Sequence, residues 1–543
     1  MPEFCIMAAS PSTCFVPIKA GHAEDWSQIR EMKFKWCRQR ESCRLASVLV
    51  DKLALFSHNQ QAQLIIRLFR NASVYGVGII LVKIGGVILL PIYLSRLTPE
   101  DYGILGLVAI ASGFLTPILN LGLSVSVGRL YLEWSPSERP HYVAATWITS
   151  RLFGFCLILF LDRIGAYIFP VLISQVPFTP YIRMVLWTTY LNEYSSFPFS
   201  ILRVTERLQL FTLASVGSFL VIAGLTIYLV VVRGMGATGV LLANLVNAGI
   251  GAVLWSVFMW IREIKFPFGW MHLKEPISFG LPSVPSTIID SVGGVLDRFF
   301  LDKFVPLSGV GLYSLGKQFG SYVGQINGAL KSSWIPLTYR LASEQPESLP
   351  ELLPKISVVY VAAMAWATSA ITLLGSDLIE LSGAKRFVGA YHLIPLFTLS
   401  YFVLASGSGL GRGLDIAKDL RLSPVVPAVS IVVNFVTTIL LVRPFGAEGV
   451  ALAFFLTALT TTIVHIYLAH KVYPRRFPFI QIIMIVASGV LVFLIGSHFA
   501  PEPIWPRIIV KGTWLLVYVF VLLGIAIGPV TRKGRRARLR NSI

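Results

Sequence analysis

The hydrophobic pattern of the chain repeats one unit from Ser73 onward. Each unit is an apolar run of about 20 residues that ends at proline, glycine or charged residues, and a helix of that length spans the ~30 Å hydrocarbon core of a bilayer. The pattern predicts fourteen membrane-spanning helices, the third of which could continue towards Phe169. Their predicted spans are residues 74–96, 104–128, 142–161, 180–202, 211–232, 238–261, 278–301, 309–338, 356–374, 388–410, 423–442, 448–470, 479–499 and 507–528.

Composition supports an all-α, polytopic membrane protein. Hydrophobic residues make up 55% of the 543 residues and charged residues only 13%, which is outside the range of ordinary soluble domains. The formal charge of +19 raises the question of nucleic acid. However, the lysines and arginines lie mostly at the ends of apolar runs and in the two tails, without the basic and aromatic module of a nucleic-acid binder. We therefore interpret them as topology determinants and contacts to membrane lipids, and expect no nucleic-acid partner.

An internal repeat divides the membrane part of the chain. The segment Val232–Ala243 resembles Val442–Ala453, including the turn glycines and the apolar restart, and a weaker echo relates the segments that begin at Gly103 and Gly311. The repeat predicts two bundles of six helices. Because six is an even number, the two bundles have the same orientation in the membrane and enclose a central cleft.

The predicted domain boundaries follow from the repeat. The two bundles occupy residues 71–275 and 276–474, two additional helices occupy residues 475–528, and a basic cytoplasmic tail covers residues 529–543. Residues 1–70 lack the compact apolar core of a signal peptide, so we expect them to form a cytoplasmic tail. This tail is either disordered, or translation begins at Met7 or Met32 and part of it is not made. Placing both termini in the cytoplasm puts most lysines and arginines on the cytoplasmic side, as the positive-inside rule requires.

Polar residues form a stripe on the seventh and eighth predicted spans. At ~100° per residue, one face of the seventh span carries Ser283, Ser286, Thr287, Asp290, Gly293, Gly294 and Asp297, with Arg298 beside it. The eighth span aligns Lys317, Ser321, Gly324, Gly328 and Lys331. Charged groups at bilayer depth cost ~2.5–3.5 kcal/mol each, so they should face a bundle interior or a water-filled cavity. The stripe predicts a lined pathway; the structural alternative is that these charges form interhelical pairs that hold the bundle together.

Three further charged residues are candidates for function. The repeat offset places Lys83 of the first span close to Asp290, which predicts an ion pair across the cleft. Arg129, at the cytoplasmic end of the second span, either meets a lipid phosphate or extends to the interface. Glu193 is an isolated carboxylate of the fourth span, and it either titrates with a proton or is a hydrogen-bonded structural residue.

Sequence motifs for catalysis and nucleotide binding fail. The segment Gly311–Gln318 imitates a phosphate-binding loop, but Gln318 stands where Ser or Thr should bind magnesium, and no strand precedes it. The chain has no H-E-x-x-H or G-x-S-x-G motif, and the five cysteines show no metal-ligand spacing. We expect no enzymatic activity, no cofactor and no metal site.

Several segments together resemble a known family. The segments Pro91–Gly103, Asn120–Ser124, Asp297–Leu301 and Gly311–Ser314 are similar to the polysaccharide transporter (Wzx-type O-antigen flippase) family of the multidrug/oligosaccharidyl-lipid/polysaccharide exporter superfamily. The resemblance covers about residues 71–528. It implies alternating-access translocation of an undecaprenyl-pyrophosphate-linked oligosaccharide, an O-antigen or exopolysaccharide repeat unit, across the bacterial inner membrane. It also implies polysaccharide polymerase machinery as a partner.

The residues of the polar stripe suit that substrate. Arg298, Lys317 and Lys331 would attract the pyrophosphate, and Asn327 suits sugar hydroxyls. Asp290 and Asp297 would orient the cations or relay a coupling proton.

Four alternatives remain open. A cation-coupled multidrug exporter would favour a carboxylate-rich cavity, whereas cations outnumber anions in spans one, seven and eight. A lipid II flippase differs only in the head group of its substrate. A glycan polymerase or ligase would need a sizeable outward loop, and a structural scaffold would leave the charged stripes unexplained.

Overall fold

The computed structural model describes residues 85–344, 347–416, 422, 424–474, 477–499 and 501–540. All of these belong to one compact unit that spans Tyr75–Ile543. The predicted tail at residues 1–70 and Lys83 lie outside the described residues. Within the described ranges the regular elements are helices, which confirms the prediction of an all-α chain.

The first group of helices covers the predicted spans one to six. It consists of α1 (Gly85–Arg96), α2 (Pro99–Asn120), α3 (Leu123–Leu130), α4 (Arg139–Leu172), α5 (Arg183–Asn192), α6 (Ser196–Val204), α7 (Leu208–Thr226) and α8 (Gly236–Arg262). Helix α4 passes Phe169, as expected for the third span. A π-helical turn precedes α5, a 3-10 turn joins α5 to α6, and a second π-helical turn follows α7; these turns are Phe178–Ile182, Glu193–Ser195 and Ile227–Val232.

The second group covers the remaining predicted spans. It consists of α9 (Met271–Gly280), α10 (Ser283–Phe304), α11 (Leu307–Glu344), α12 (Leu349–Leu381), α13 (Leu393–Leu410), α14 (Gly413–Ile416), α15 (Val425–Val472), α16 (Phe479–His498) and α17 (Ile504–Arg540). A 3-10 segment, Lys385–Ala390, lies between α12 and α13. Among the described residues, nine helices are long and apolar enough to cross a membrane, so the chain is a multi-pass membrane protein.

Three details of the helices bear on the predicted bounds. The eleventh and twelfth spans both lie within α15, which is two helical segments joined by a kink at Gly446 (φ 56°, ψ −131°), inside the gap predicted between residues 442 and 448. Helix α17 continues to Arg540, so most of the segment predicted as a tail at 529–543 is helical backbone. The predicted boundary between the bundles, at 275/276, lies within α9, and the division into two bundles stays a prediction.

Helix α2 is the structural centre, because it packs against α4, α5 and α8 of the first group and α10 and α11 of the second. Lipid tails are as apolar as leucine, so close packing rather than hydrophobic burial must hold membrane helices together. Glycines provide that packing. A Cβ on Gly103 would lie 2.2 Å from the carbonyl oxygen of Leu307, and one on Gly311 would lie 1.8 Å from that of Pro99, so α2 and α11 cross in backbone contact.

Two helix breaks meet at the other end of α2. Leu121 (φ 51°) and Gly122 (φ 69°) adopt left-handed backbone between α2 and α3, and Leu281 and Pro282 separate α9 from α10. A Cβ on Gly122 would lie 2.1 Å from the carbonyl oxygen of Gly280, so glycine is needed there for space as well as for φ. The breaks therefore place a segment of the first group directly against a segment of the second.

The last two helices attach to α12. Lys511 of α17 donates to Oδ2 of Asp377 at 2.6 Å and to the carbonyl oxygen of Leu373 at 2.9 Å, and both ionised side chains are buried. Arg507, one turn earlier, donates to Glu380 at 2.5 Å. Helix α16 packs against both α12 and α17. This ion-pair cluster, which the sequence reading did not single out, fixes α16 and α17 to the second group.

Candidate functional site

The polar stripe of the seventh and eighth spans meets in a buried cluster between α10 and α11. Asp297 is 2% exposed and Lys317 is 9% exposed. Lys317 Nζ and Tyr313 Oη both donate to Oδ2 of Asp297, and Lys317 lies 3.4 Å from the carbonyl oxygen of Gly294. Tyr313 and Lys317 are four residues apart on α11 and so present their side chains to α10 on the same face. We call Asp297, Tyr313 and Lys317 the central cluster.

Aromatic rings from α13 and α15 enclose the central cluster. Lys317 Nζ lies 5.1 Å from the ring centroid of Phe454, within cation–π range. Phe397 packs edge-on against Tyr313 with centroids 4.9 Å apart. Four helices thus contribute to the central cluster, and Lys317 lies in a low-dielectric surrounding where any further anion would interact strongly with it.

Arg298 adds a second cation beside the central cluster. Its backbone N–H donates to Oδ1 of Asp297 at 2.9 Å, and its side chain is half-buried. Its Nε is buried without a hydrogen-bond partner among the described residues. Among the described side chains, two cations therefore lie near one carboxylate, and these three groups together carry a net positive charge.

A second buried polar cluster lies in the first group of helices, and Glu193 is hydrogen-bonded within it. Oε2 of Glu193 accepts a hydrogen bond from Asn120 Nδ2 at 2.7 Å. Arg151 of α4 belongs to the same cluster: its guanidinium lies 5.1 Å above the ring of Tyr194 and donates through Nη2 to Ser150 Oγ at 2.9 Å. The sequence reading missed Arg151, although an arginine inside an apolar run was a visible signal.

The other predicted site residues lie apart from these clusters. Lys331 is half-buried on α11 and has an interaction partner within the described residues. Asn327 Oδ1 accepts a hydrogen bond from Tyr360 Oη at 2.5 Å. Arg129 is exposed and pairs with Glu133 one turn along. The side chain of Asp290, like Lys83, lies outside the described residues, so their pairing stays a prediction.

The two groups of helices also contact each other where α4 and α10 end. The carboxylate of Asp302 is buried and accepts hydrogen bonds from Ser174 N at 2.7 Å, Ser174 Oγ at 2.8 Å and Gln175 N at 3.0 Å. Gln175 Nε2 in turn donates to the carbonyl oxygens of Asp302 and Val305 at 2.6 and 2.8 Å. Lys303 lies 3.2 Å from Asp302 and donates to Val171 O at 3.1 Å. We call this set of contacts the Asp302 latch.

A separate set of contacts joins the groups near the Asn120 end of α2. Ser126 Oγ of α3 donates to the carbonyl oxygen of Pro276 in α9 at 2.8 Å. His272 Nε2 lies 2.9 Å from Oε2 of Glu138, which directly precedes α4. Together with the contact of Gly122 and Gly280, these bonds hold α3 and the start of α4 against α9.

Comparison with known proteins places this architecture. The sequence pattern of a family described as polysaccharide biosynthesis protein matches residues 93–379, more than half of the chain. The chain belongs to this family. No individually curated protein matches the sequence.

Solved structures show that the family member shares its fold with known transporters. The lipid II flippase MurJ, in an inward closed conformation, matches with a TM-score of 0.65 at 13% identity, over 85% of this chain and 99% of MurJ. An inward-facing multidrug resistance MATE family transporter of the MOP superfamily matches with a TM-score of 0.56 at 15% identity, over 75% of this chain and 97% of the other. The family match confirms the predicted membership of a polysaccharide family, and the fold is the one found in these flippase and transporter structures.

Proposed function

We propose that this protein is a flippase that moves an undecaprenyl-pyrophosphate-linked oligosaccharide, such as an O-antigen or exopolysaccharide repeat unit, across the bacterial inner membrane. The observation that carries the proposal is the central cluster with Arg298: among the described side chains, two cations lie beside one buried carboxylate in a member of a polysaccharide biosynthesis family. Such charges are costly to bury, and transport pathways are their usual location. A pyrophosphate is the part of the substrate that needs them.

The central cluster would act by exchanging partners. In the described state Asp297 neutralises Lys317 and, with Tyr313, fixes the position of its ammonium group. A pyrophosphate that enters between the helices would offer several anionic oxygens, and Lys317 would exchange Asp297 for one of them. The buried Nε of Arg298 is a second donor for the same anion. Lys331 and Asn327, further along α11, would contact the rest of the head group.

Transport would require the two groups of helices to separate at one end at a time. We propose fourteen spans arranged as two six-helix bundles, residues 71–275 and 276–474, around a central cleft, with both termini cytoplasmic. In that topology the Asp302 latch closes the outer side, and the contact of Gly122 with Gly280 closes the cytoplasmic side. Alternating access would open these contacts in turn, bending at the breaks beside Gly122 and Pro282.

The matched structures favour two alternative functions for this protein. The likeness to MurJ supports a lipid II flippase, and the likeness to MATE transporters supports a multidrug exporter. The positive charges of Lys317 and Arg298 favour binding of an anionic lipid head group over binding of a cationic drug. These possibilities predict different phenotypes, so one experiment separates them.

The test is gene deletion and complementation in the native cells. Deletion should abolish surface polysaccharide and leave the lipid-linked oligosaccharide in the cytoplasmic leaflet, where added glycosidase cannot reach it. Wild type should restore display, Lys317→Gln should reduce it at least tenfold, and Lys385→Gln, at an exposed position, should behave as wild type. Lysis on depletion would indicate lipid II instead, and hypersensitivity to cationic drugs with normal display would indicate drug export; either result overturns the proposal.

A further inference from the structure

The cluster around Arg151 holds buried hydrogen-bond donors that the described residues do not satisfy. Arg151 is 5% exposed, and its Nε and Nη1 have no hydrogen-bond partner among those residues. Trp147, one turn earlier on α4, is also 5% exposed, and its indole Nε1 likewise has no partner there. Counting one N–H on Nε, two on Nη1 and one on the indole, four N–H groups await an acceptor.

The hydrogen-bond donors without a partner in the described part of the chain lie next to one aromatic ring, that of Tyr194. The Arg151 guanidinium lies 5.1 Å from the ring of Tyr194, and the ring of Trp147 packs edge-on against the same tyrosine with centroids 5.8 Å apart. Tyr194 itself is half-buried, and its Oη shares a 2.9 Å hydrogen bond with Tyr190 Oη. The buried donors therefore lie against a ring that is itself only half-buried.

Leaving these donors unpaired is expensive. A buried polar group without a partner costs about 1–3 kcal/mol on mutational scales, and an uncompensated buried charge costs more. Glu193 is close enough to Arg151 for the two charges to attract each other, but its Oε2 accepts a hydrogen bond from Asn120, and Nε and Nη1 of Arg151 stay without an acceptor among the described residues. A fold that retains such a cost in the membrane interior commonly does so at a functional site.

We propose that Arg151, Trp147, Glu193 and Asn120 form a saccharide subsite that binds hydroxyl groups of the sugar attached to the transported lipid. This inference rests on the proposed function and assigns a different part of the substrate to each group of helices. The central cluster receives the pyrophosphate, and the Arg151 cluster receives the sugar.

The mixture of donors and acceptors favours a sugar over a phosphate. Glu193 lies in the same cluster as Arg151 and would repel a second anion. A hydroxyl group can accept a hydrogen bond from Arg151 or Trp147 and donate one to Glu193, so a polyol satisfies both kinds of group at once. The rings of Trp147 and Tyr194 supply flat apolar surfaces next to these polar atoms.

The position of the subsite gives it a route of entry. Asn120, which holds Glu193, is the last residue of α2 and directly precedes the left-handed Leu121 and Gly122. Gly122 is the residue that touches Gly280 of the second group. Separation of the two groups at this contact would uncover the Asn120 side of the cluster, so the sugar would reach Arg151 only when that end is open.

The experiment compares two lipids on the purified full-length protein in detergent. One is undecaprenyl pyrophosphate, and the other is the lipid-linked oligosaccharide extracted from the native cells; binding of each is measured by native mass spectrometry and by competition with radiolabelled lipid. Arg151→Gln and Trp147→Phe should weaken binding of the oligosaccharide-bearing lipid, by about tenfold for the arginine, and leave that of the bare lipid unchanged. Arg163→Gln, at an exposed position of the same helix, is the matched control and should change neither.

Each other outcome has a defined meaning. Lys317→Gln should weaken binding of both lipids, because both carry the pyrophosphate. Equal losses for the two lipids in Arg151→Gln would make this site a phosphate site, and unchanged binding of both lipids in Arg151→Gln and Trp147→Phe would make the cluster purely structural; both results overturn the inference while the proposed function stands. Failure of the wild type to bind either lipid would overturn the proposed function and this inference with it. Retained binding of the bare lipid shows that a variant is folded.

Discussion

At the residue scale, the central cluster shows how a membrane interior holds a charge. Asp297 receives hydrogen bonds from Lys317 and Tyr313, and the ammonium group rests against Phe454. The desolvation penalty of two buried ions is offset only when each finds such partners. The ion pair of Asp297 and Lys317 is therefore tolerated in the protein interior, whereas either charge without the other would destabilise the fold.

This arrangement predicts that Asp297→Ala destabilises the protein more than removal of both charges. The single change leaves the buried Lys317 ammonium uncompensated, a situation that typically costs 3–5 kcal/mol. Thermal unfolding of the detergent-solubilised protein should show a large drop for Asp297→Ala and a smaller one for Asp297→Ala combined with Lys317→Met. A double variant less stable than the single one would contradict the pairing.

At this scale the sequence predicted which residues share a polar helix face, but not all of the contacts that those residues make. The periodicity of the seventh and eighth spans placed Asp297 and Lys317 on polar faces, because helix geometry fixes which residues share a face. It could not supply Tyr313 as a partner, nor bring Arg151 of α4 near Asn120 and Glu193, because these contacts depend on how separate helices cross. The repeated apolar pattern similarly predicted an all-helical membrane protein, whereas the kink at Gly446 depends on a single backbone conformation.

At the scale of the elements, glycines decide how closely α2 approaches its neighbours. The backbone of α2 touches that of α11 at Gly103 and Gly311, and the break after α2 touches the end of α9 at Gly122. None of these contacts tolerates a methyl group without displacement of a helix, since the neighbouring atom is backbone rather than a flexible side chain.

The corresponding prediction concerns Gly311→Ala. A Cβ there would lie 1.8 Å from the carbonyl oxygen of Pro99, so α2 and α11 must move apart, and we expect a loss of about 1–3 kcal/mol or more in stability together with impaired polysaccharide display. Gly217→Ala on α7, where a Cβ meets nothing within 4 Å, serves as the control. Thermal melts that rank the two variants equal would refute close crossing of α2 and α11.

At the scale of the whole molecule, the Asp302 latch is a contact that alternating access would have to break. It joins α4 to α10 through hydrogen bonds from both backbone and side chain, so it is specific rather than a loose surface contact. Opening it exposes a buried carboxylate to water, which reduces the cost of separation.

We therefore expect that a covalent bond across the latch stops transport. In a cysteine-free background, Ser174→Cys with Asp302→Cys should cross-link on oxidation, abolish polysaccharide display and recover it after reduction. Each single cysteine variant is the control for the substitution itself. Transport that continues in fully cross-linked protein would show that this contact does not open during the cycle.

The attachment of α17 to α12 also has a consequence for motion. Lys511 and Arg507 bind the final helix to Asp377 and Glu380. We therefore expect the last two helices to move as one rigid body with α12 and the rest of the second group. Spin labels on α12 and α17 should then report one unchanging separation throughout the cycle, while labels on α2 and α11 report at least two.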